Sequence, residues 1–321
     1  MKNILVIGAG AMGAAFTIPC SDNKHKVTLC EPHNHLLINK IKSKKFFHPN
    51  LKIKLPKNLK IENYSKKILE KKWDLIVIAV SSIGIEFIGE QLKDMKKNNP
   101  ILILTKGLNY QKSRKRILTM SEQLNRLVKR GNISVLKGPC LAVELANKIK
   151  TGAVIANKSI KKAKSIGKLI STNYYKFDYS KDVKGVEVCS AIKNLYSMII
   201  GSGEGLNTSS VLFRNSISEM VYLTKFFKGK EETVFGLAGL GDLYVSVTGG
   251  RNSKMGKYLG KGFTYKSAKK KFMPKDTIEG AQLAFNIAPY ILKKINNKKI
   301  PLMVNLLKAI SKNKKLNINW K

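Results

Sequence analysis

Gly8-Ala9-Gly10-Ala11-Met12-Gly13 places three glycines in a G-x-G-x-x-G spacing, directly after a short apolar run and at the head of an apolar segment of helix length. A loop of this kind serves a phosphate. The first glycine makes the tight turn, the second lets backbone approach a pyrophosphate, and the third lets helix and strand pack closely. The helix N-terminus it opens adds unpaired N–H groups and a partial positive charge. Glu31 lies 23 positions after Gly8, at the end of a second apolar run. A carboxylate there is where such a fold holds a ribose 2′-hydroxyl, and it would repel a 2′-phosphate, so NAD is favoured over NADP. The competing reading is a glycine turn with no ligand and a surface acid.

Four further segments carry chemistry. Lys106, in Leu104-Thr105-Lys106-Gly107, follows an apolar run that would end at the carboxyl edge of a sheet, where open α/β folds bind ligands; the bland alternative is one surface lysine among many. Gly138-Pro139-Cys140-Leu141-Ala142-Val143-Glu144 sets a turn and a helix start whose backbone donors could face an anion. Cys140 reads as a packing residue, since no base is evident for a reactive thiol. If residues 186–202 form a helix, Val186, Cys189, Lys193, Tyr196 and Ile200 share one face. A lysine in an apolar stripe must be paired, neutral, or reaching solvent with its head. Desolvation would move its pKa down, towards proton transfer. Asp242 is the lone acid in Phe235-Gly236-Leu237-Ala238-Gly239-Leu240-Gly241-Asp242-Leu243, and Lys193 is its natural partner. Arg251, in Gly249-Gly250-Arg251-Asn252, stands where a planar fork could grip a phosphate.

These residues need elements to hold them. Asn3–Ile7, Lys26–Leu29, Leu75–Val80 and Ile101–Leu104 read as buried strands separated by helix-length segments, with further strands at Ile133–Leu136 and Gly152–Ala156. That alternation predicts an α/β, Rossmann-type, doubly wound and mostly parallel sheet. From Gly185 the periodicity turns helical over Val186–Ser202, Ser210–Phe227, Ile278–Lys294 and Pro301–Ile310. We expect a dinucleotide-binding domain over 1–184, a mainly α-helical substrate and catalytic domain over 185–321, and a lysine-rich C-terminal tail that frays.

Composition narrows the alternatives. A chain of 321 residues that is 43% hydrophobic and 25% charged builds a core and is neither disordered nor fibrous. The start MKNILVIGAG is too short and glycine-broken for a membrane span and precedes no cleavage pattern, so a cytoplasmic protein is expected. Cys20, Cys30, Cys140 and Cys189 are scattered, fitting neither a disulfide framework nor a zinc site; no metal is expected. The net charge of +40 would suit nucleic acid, yet 54 of the 60 basic residues are lysines spread along the whole chain. Four of the six arginines fall in one ordinary-looking segment, Arg114–Arg130. Neither arginines nor aromatics gather on one face, so the charge reads as compositional bias that still attracts small anions.

Taken together, the motifs resemble those of the NAD(P)-dependent glycerol-3-phosphate dehydrogenases. The likeness runs in order from the Gly8 loop through Thr105-Lys106-Gly107, Gly138-Pro139 to Glu144, Gly185-Val186-Glu187 with Ala191-Ile192-Lys193-Asn194, Gly236–Asp242 and Gly250-Arg251-Asn252 to Ile278-Glu279-Gly280. The resemblance implies reversible hydride transfer between nicotinamide and C2 of dihydroxyacetone phosphate or sn-glycerol 3-phosphate, in the supply of glycerophospholipid precursors. It implies Lys193 as proton donor and acceptor, with Asp242, Asn194 and Lys106 as its catalytic companions. Cofactor contacts would come from Gly8, Gly10, Ala11, Met12, Gly13, Glu31, Lys106, Ala142, Arg251 and Glu279. Substrate contacts would come from Lys106, Gly138, Cys140, Lys193, Asp242, Gly250, Arg251 and Asn252. A homodimer is the assembly considered. Four positions depart from the family pattern: Met12 stands where an aromatic is common, Cys140 where a hydroxyl or amide touches substrate, Gly250 where bacterial relatives carry Ser, and Glu31 is unusual against forms that accept NADP. The rivals are another two-domain NAD(P)-dependent dehydrogenase acting on hydroxy or keto acids and, more remotely, a basic nucleic-acid-binding protein.

Overall fold

Short β-branched runs closed by glycine or charge become strands because a sheet covered on both faces requires no polar alternation. In the computed structural model, which describes residues 1–95, 99–129 and 132–318, Asn3–Ile7, Lys26–Glu31, Leu75–Ile78, Ile101–Ile103, Ile133–Lys137 and Thr151–Ala156 are strands. Lys60–Asn63 and Tyr175–Ser180, which the sequence did not reveal, complete an eight-stranded sheet. Both are edge strands with half-exposed, polar sequences, so they lack the continuous apolar signal.

The spatial order runs Tyr175–Ser180, Thr151–Ala156, Ile133–Lys137, Ile101–Ile103, Leu75–Ile78, Asn3–Ile7, Lys26–Glu31, Lys60–Asn63. All neighbours are parallel except Ile133–Lys137 and Thr151–Ala156, where Val135 faces Ala156. Asn3–Ile7 lies at the switch point: Ile4 sits beside Val27 on one side and Leu75 on the other. A crevice opens at the carboxyl end of such a strand, which is where doubly wound sheets bind ligands.

The chain divides into two compact units. One comprises Met1–Lys106 with Met120–Val183, the other Gly107–Thr119 with Lys184–Lys321. The hairpin Leu108–Gln111 with Arg116–Thr119 therefore belongs to the second unit, where Asn286 ties it down by accepting from Tyr110 N–H and donating to the Leu108 carbonyl. Nothing in the sequence reading anticipated this excursion, which also carries Arg114 and Arg116. Arg130 lies outside the described residues.

The second unit is otherwise helical: Val183–Gly201, Leu206–Phe226, Asp242–Gly249, Arg251–Gly260, Tyr265–Phe272, Glu279–Lys294 and Pro301–Ser311 are its longer helices. The Val183–Gly201 helix is buried on nearly every side, not on one face alone. Near the end of the described chain, Leu316 and Ile318 pack against the unit's core. Residues 319–321 lie outside the described residues.

Candidate active site

The glycine loop sits at the switch-point strand. Gly8 has φ +110, and a Cβ there would lie 2.6 Å from the Ala79 carbonyl oxygen. A Cβ on Gly13 would collide with the Gly8 carbonyl. Those two glycines are demanded by the fold itself. Gly10 differs: its φ is −61, and a Cβ would meet nothing within 4 Å. The chain leaves that space open although its own packing does not need it, which fits a bound pyrophosphate. Gly10 is also the N-cap of the Ala11–Asp22 helix, offers no capping side chain, and has no acid in the turn that follows. The Ala11, Met12 and Gly13 N–H groups stand in the first turn of that helix, where no intrahelical carbonyl precedes them.

Glu31 ends the neighbouring strand and is buried, which removes the surface-acid reading. Its carboxylate accepts from the N–H groups of Ala9 at 2.7 Å, His33 at 3.0 Å and Asn34 at 3.3 Å. It thus braces the loop as well as bringing negative charge to the end of the strand.

At the carboxyl edge of the same sheet, Lys106 Nζ reaches the Gly138 carbonyl at 3.4 Å, so these two expected residues are joined. Thr105 Oγ1 donates to the Val80 carbonyl at 2.7 Å, pinning the segment that carries Lys106. Lys137, which the sequence reading passed over, is buried with its ammonium on the carbonyls of Ile103 at 3.1 Å and Thr105 at 2.7 Å. Its signal was the one that marked Lys106, a lysine ending an apolar strand at this edge. Cys140 is half-buried and packs against the core of this unit. The helix holding Ala142 is one short turn, Ala142–Ala146, and contributes little dipole.

In the second unit, Lys193 and Asp242 form an ion pair of 2.8 Å, with side chains only 8% and 4% exposed. Lys193 does not reach solvent with its head. Its ammonium also donates to Ser246 Oγ, and Ser246 Oγ donates to the Asp242 carbonyl at 2.8 Å. Ser246 escaped the sequence reading although it stands one helical turn after Asp242. A π-helical turn, Leu237–Gly241, leads into that helix; such turns concentrate at functional sites. The glycine-rich run thereby brings a carboxylate into the interior, where a lone charge would be prohibitive without its partner.

Arg251 opens the next helix and bonds through Nη2 to Glu279 Oε1. Both side chains are about half exposed, so much of the guanidinium fork faces water. Asn252 is buried: its amide donates to Asn194 Oδ1 at 3.1 Å, and its carbonyl accepts from Gly280 N–H at 2.9 Å. The structure thus links the helix carrying Lys193 and Asn194, the helix start at Gly250-Arg251 and the helix start at Glu279. Asn252 works first as the tie among them.

One turn along from Lys193, Tyr196 donates to Glu219 Oε2 at 3.0 Å, and Glu219 also accepts from Leu302 and Met303 N–H at 2.7 and 3.0 Å. This carboxylate caps the Pro301–Ser311 helix from inside the core. Burial pushes its pKa up to about 7 in spite of these bonds.

A nucleotide loop at a switch point, together with a buried ammonium held by a carboxylate, describes a dehydrogenase. Residues 3–163 match the NAD-dependent glycerol-3-phosphate dehydrogenase N-terminus, and residues 182–320 match the C-terminus of the same family. The NADP(+)-dependent glycerol-3-phosphate dehydrogenase of Archaeoglobus fulgidus is 31% identical over 280 residues, covering 83% of this chain and 82% of that protein. The glycerol-3-phosphate dehydrogenase [NAD(P)+] of Clostridium acetobutylicum is 29% identical over 98% of this chain and 94% of its own length. The crystal structure of the Coxiella burnetii glycerol-3-phosphate dehydrogenase superposes with a TM-score of 0.85 at 25% identity, covering 98% of this chain and 96% of that one. The chain belongs to the NAD-dependent glycerol-3-phosphate dehydrogenase family. It is an oxidoreductase that uses NAD or NADP and acts on a small phosphorylated substrate. Among the described residues, no helix is long and apolar enough to cross a membrane.

Proposed function

We propose that the chain interconverts dihydroxyacetone phosphate and sn-glycerol 3-phosphate in the cytoplasm, supplying the glycerol backbone of phospholipids. The observation that carries this reading is the buried Lys193–Asp242 pair. Reduction at C2 of a ketone builds alkoxide charge on its oxygen, and the Lys193 ammonium stabilises that charge and then delivers the proton. Asp242 and Ser246 hold the ammonium in place before transfer. Asn194, tied to Asn252, and Lys106, tied to Gly138, complete the catalytic set.

Arg251, with the helix start at Gly250, takes the substrate phosphate; the exposed part of its fork supports this, and Asn252 positions that start. Gly138 and Cys140 contribute substrate contacts from the sheet edge. Phosphate binding remote from C2 orients the reacting carbon. Bound NAD(H) supplies or accepts the hydride. Gly8, Gly10, Ala11, Met12 and Gly13 hold its pyrophosphate, and Glu31, Lys106, Ala142, Arg251 and Glu279 contribute to its site. The first unit is the dinucleotide-binding part and the second the catalytic part. The Glu31 charge supports a preference for NAD over NADP. The assembly proposed is a homodimer.

The test is NADH and NADPH oxidation with dihydroxyacetone phosphate beside a panel of 2-oxo acids. We expect activity on the phosphorylated ketone, greater with NADH. Turnover of the acids alone would overturn the substrate, and preference for NADPH would overturn the role of Glu31.

A further inference from the structure

The Ala9–Gly10 peptide is the one in the loop with most freedom to turn over, because glycine accepts either sign of φ at little cost. A trans peptide points its carbonyl and N–H in opposite directions, and there is no cis bond among the described residues. Whichever group holds the Ala9 carbonyl therefore aims the Gly10 N–H. That group is His48. Its Nε2 lies 2.9 Å from the Ala9 oxygen, while Nδ1 accepts from Leu51 N–H at 3.2 Å. Since Nδ1 accepts, the ring proton sits on Nε2, and the imidazole is the neutral tautomer that donates to Ala9. Burial lowers the pKa of His48, which fits.

The imidazole is fully buried and belongs to a small hairpin, Phe47–His48 with Ile53–Lys54. Lys52 N–H closes the hairpin on the His48 carbonyl at 2.9 Å, and Leu51 and Leu55 anchor it in the core of the first unit. Ala9 is thus gripped on both sides, its N–H by Glu31 and its carbonyl by His48.

Resting on the reading that this loop binds the dinucleotide, we propose that His48 is a positioning residue for the cofactor: it locks the Ala9–Gly10 peptide so that the Gly10 N–H faces the pyrophosphate. The hairpin around His48 then exists to present one neutral imidazole to the loop.

The test measures the NADH dissociation constant by fluorescence titration without substrate, the kcat at saturation, and the melting temperature, for His48→Leu, His48→Gln and Gly10→Ala. His48→Leu keeps bulk and removes the bond; its dissociation constant should rise about tenfold, the size of one hydrogen bond, with kcat within about twofold. His48→Gln, whose amide can both donate and accept, should recover most of the affinity. If His48→Leu does not fold, His48→Asn, too short to span both bonds, carries the same expectation. Gly10→Ala has room in the unliganded loop, so it should keep its melting temperature and weaken NADH by more than about tenfold. Unchanged NADH affinity in Gly10→Ala would overturn the loop reading, and the role of His48 with it. Weakening by Gly10→Ala without weakening by His48→Leu or His48→Asn would overturn the role of His48 alone. Failure of His48→Gln to recover affinity would assign His48 to packing and overturn the proposal equally.

Discussion

At Gly10 the loop leaves its own backbone uncovered; at Lys193 a buried side chain is held by Asp242 and Ser246. The loop needs nothing from distant sequence to take its shape except bracing, and its recognition elements are N–H groups that every residue owns. The Lys193 region is the reverse. Its helix, its carboxylate and its hydroxyl come from sequence about fifty positions apart, and they meet only because the second unit folds around them. A backbone site can therefore lose its ligand while the fold stands, whereas a buried side-chain site joins chemistry to stability. The two regions should respond differently to damage.

The sharpest contrast is expected from Lys193→Ala. Turnover should fall at least about a thousandfold, roughly 4 kcal/mol of transition-state stabilisation, while NADH still quenches or enhances fluorescence on binding. Near-normal turnover would remove Lys193 from the chemistry and break the comparison at its centre. Asp242→Ala should cost about 3–5 kcal/mol in a denaturant melt, because it leaves an ammonium buried without its carboxylate. The double change Lys193→Met with Asp242→Leu should recover most of that stability and none of the activity. Gly10→Ala, by contrast, is expected to leave the melt unchanged.

Glu219 gives the comparison a pH axis. Its pKa is raised from 4.5 to about 7 chiefly by burial, so the folded state holds that proton more tightly than the unfolded chain. The stabilisation is complete below about pH 4.5 and is lost as pH climbs through about 7. The shift corresponds to about 3 kcal/mol. Glu219→Gln cannot titrate, so its stability relative to the parent should improve by about that amount between pH 5 and 8. Parallel pH profiles for the two proteins would show that Glu219 does not titrate there.

Arg251→Lys should raise the KM for the phosphorylated substrate about tenfold, since an ammonium replaces a fork that can bind phosphate in two places. An unchanged KM would make Arg251 a structural partner of Glu279. The smallest effect concerns the lysine bias. Lys24 and Lys228 hold left-handed φ values of 58 and 67 just past helix ends, positions that glycine fills at lower cost. Lys24→Gly and Lys228→Gly should each stabilise by about 0.5–1 kcal/mol, read as a rise in melting temperature.

Much of this was legible in the residues. The strand Asn3–Ile7 closed by Gly8 announces a covered parallel sheet, and the glycine spacing announces a tight strand-to-helix turn. Lys193 and Asp242 stand out because each interrupts an apolar run that could not tolerate it alone. His48, Lys137, Ser246 and the Tyr196–Glu219 cap stayed hidden. None of them breaks a local pattern: His48 follows two aromatics on a two-residue strand, Ser246 lies near another hydroxyl residue on its helix, and Lys137 stands among many lysines. Among the described residues, only Lys137 and Lys193 are buried lysines, a distinction that composition cannot make.

The order of amino acids alone set the local conformations, the periodicities and the residue types able to do chemistry, because backbone sterics and burial preference act over a few neighbours. Folding in three dimensions decided which polar groups share a proton or an ion pair, since those partnerships depend on segments brought together from afar. It also decided that Asn252 serves its neighbours and that Glu31 braces the loop. A hydrogen bond exists only where both ends arrive at the same place, and no single stretch of chain specifies both.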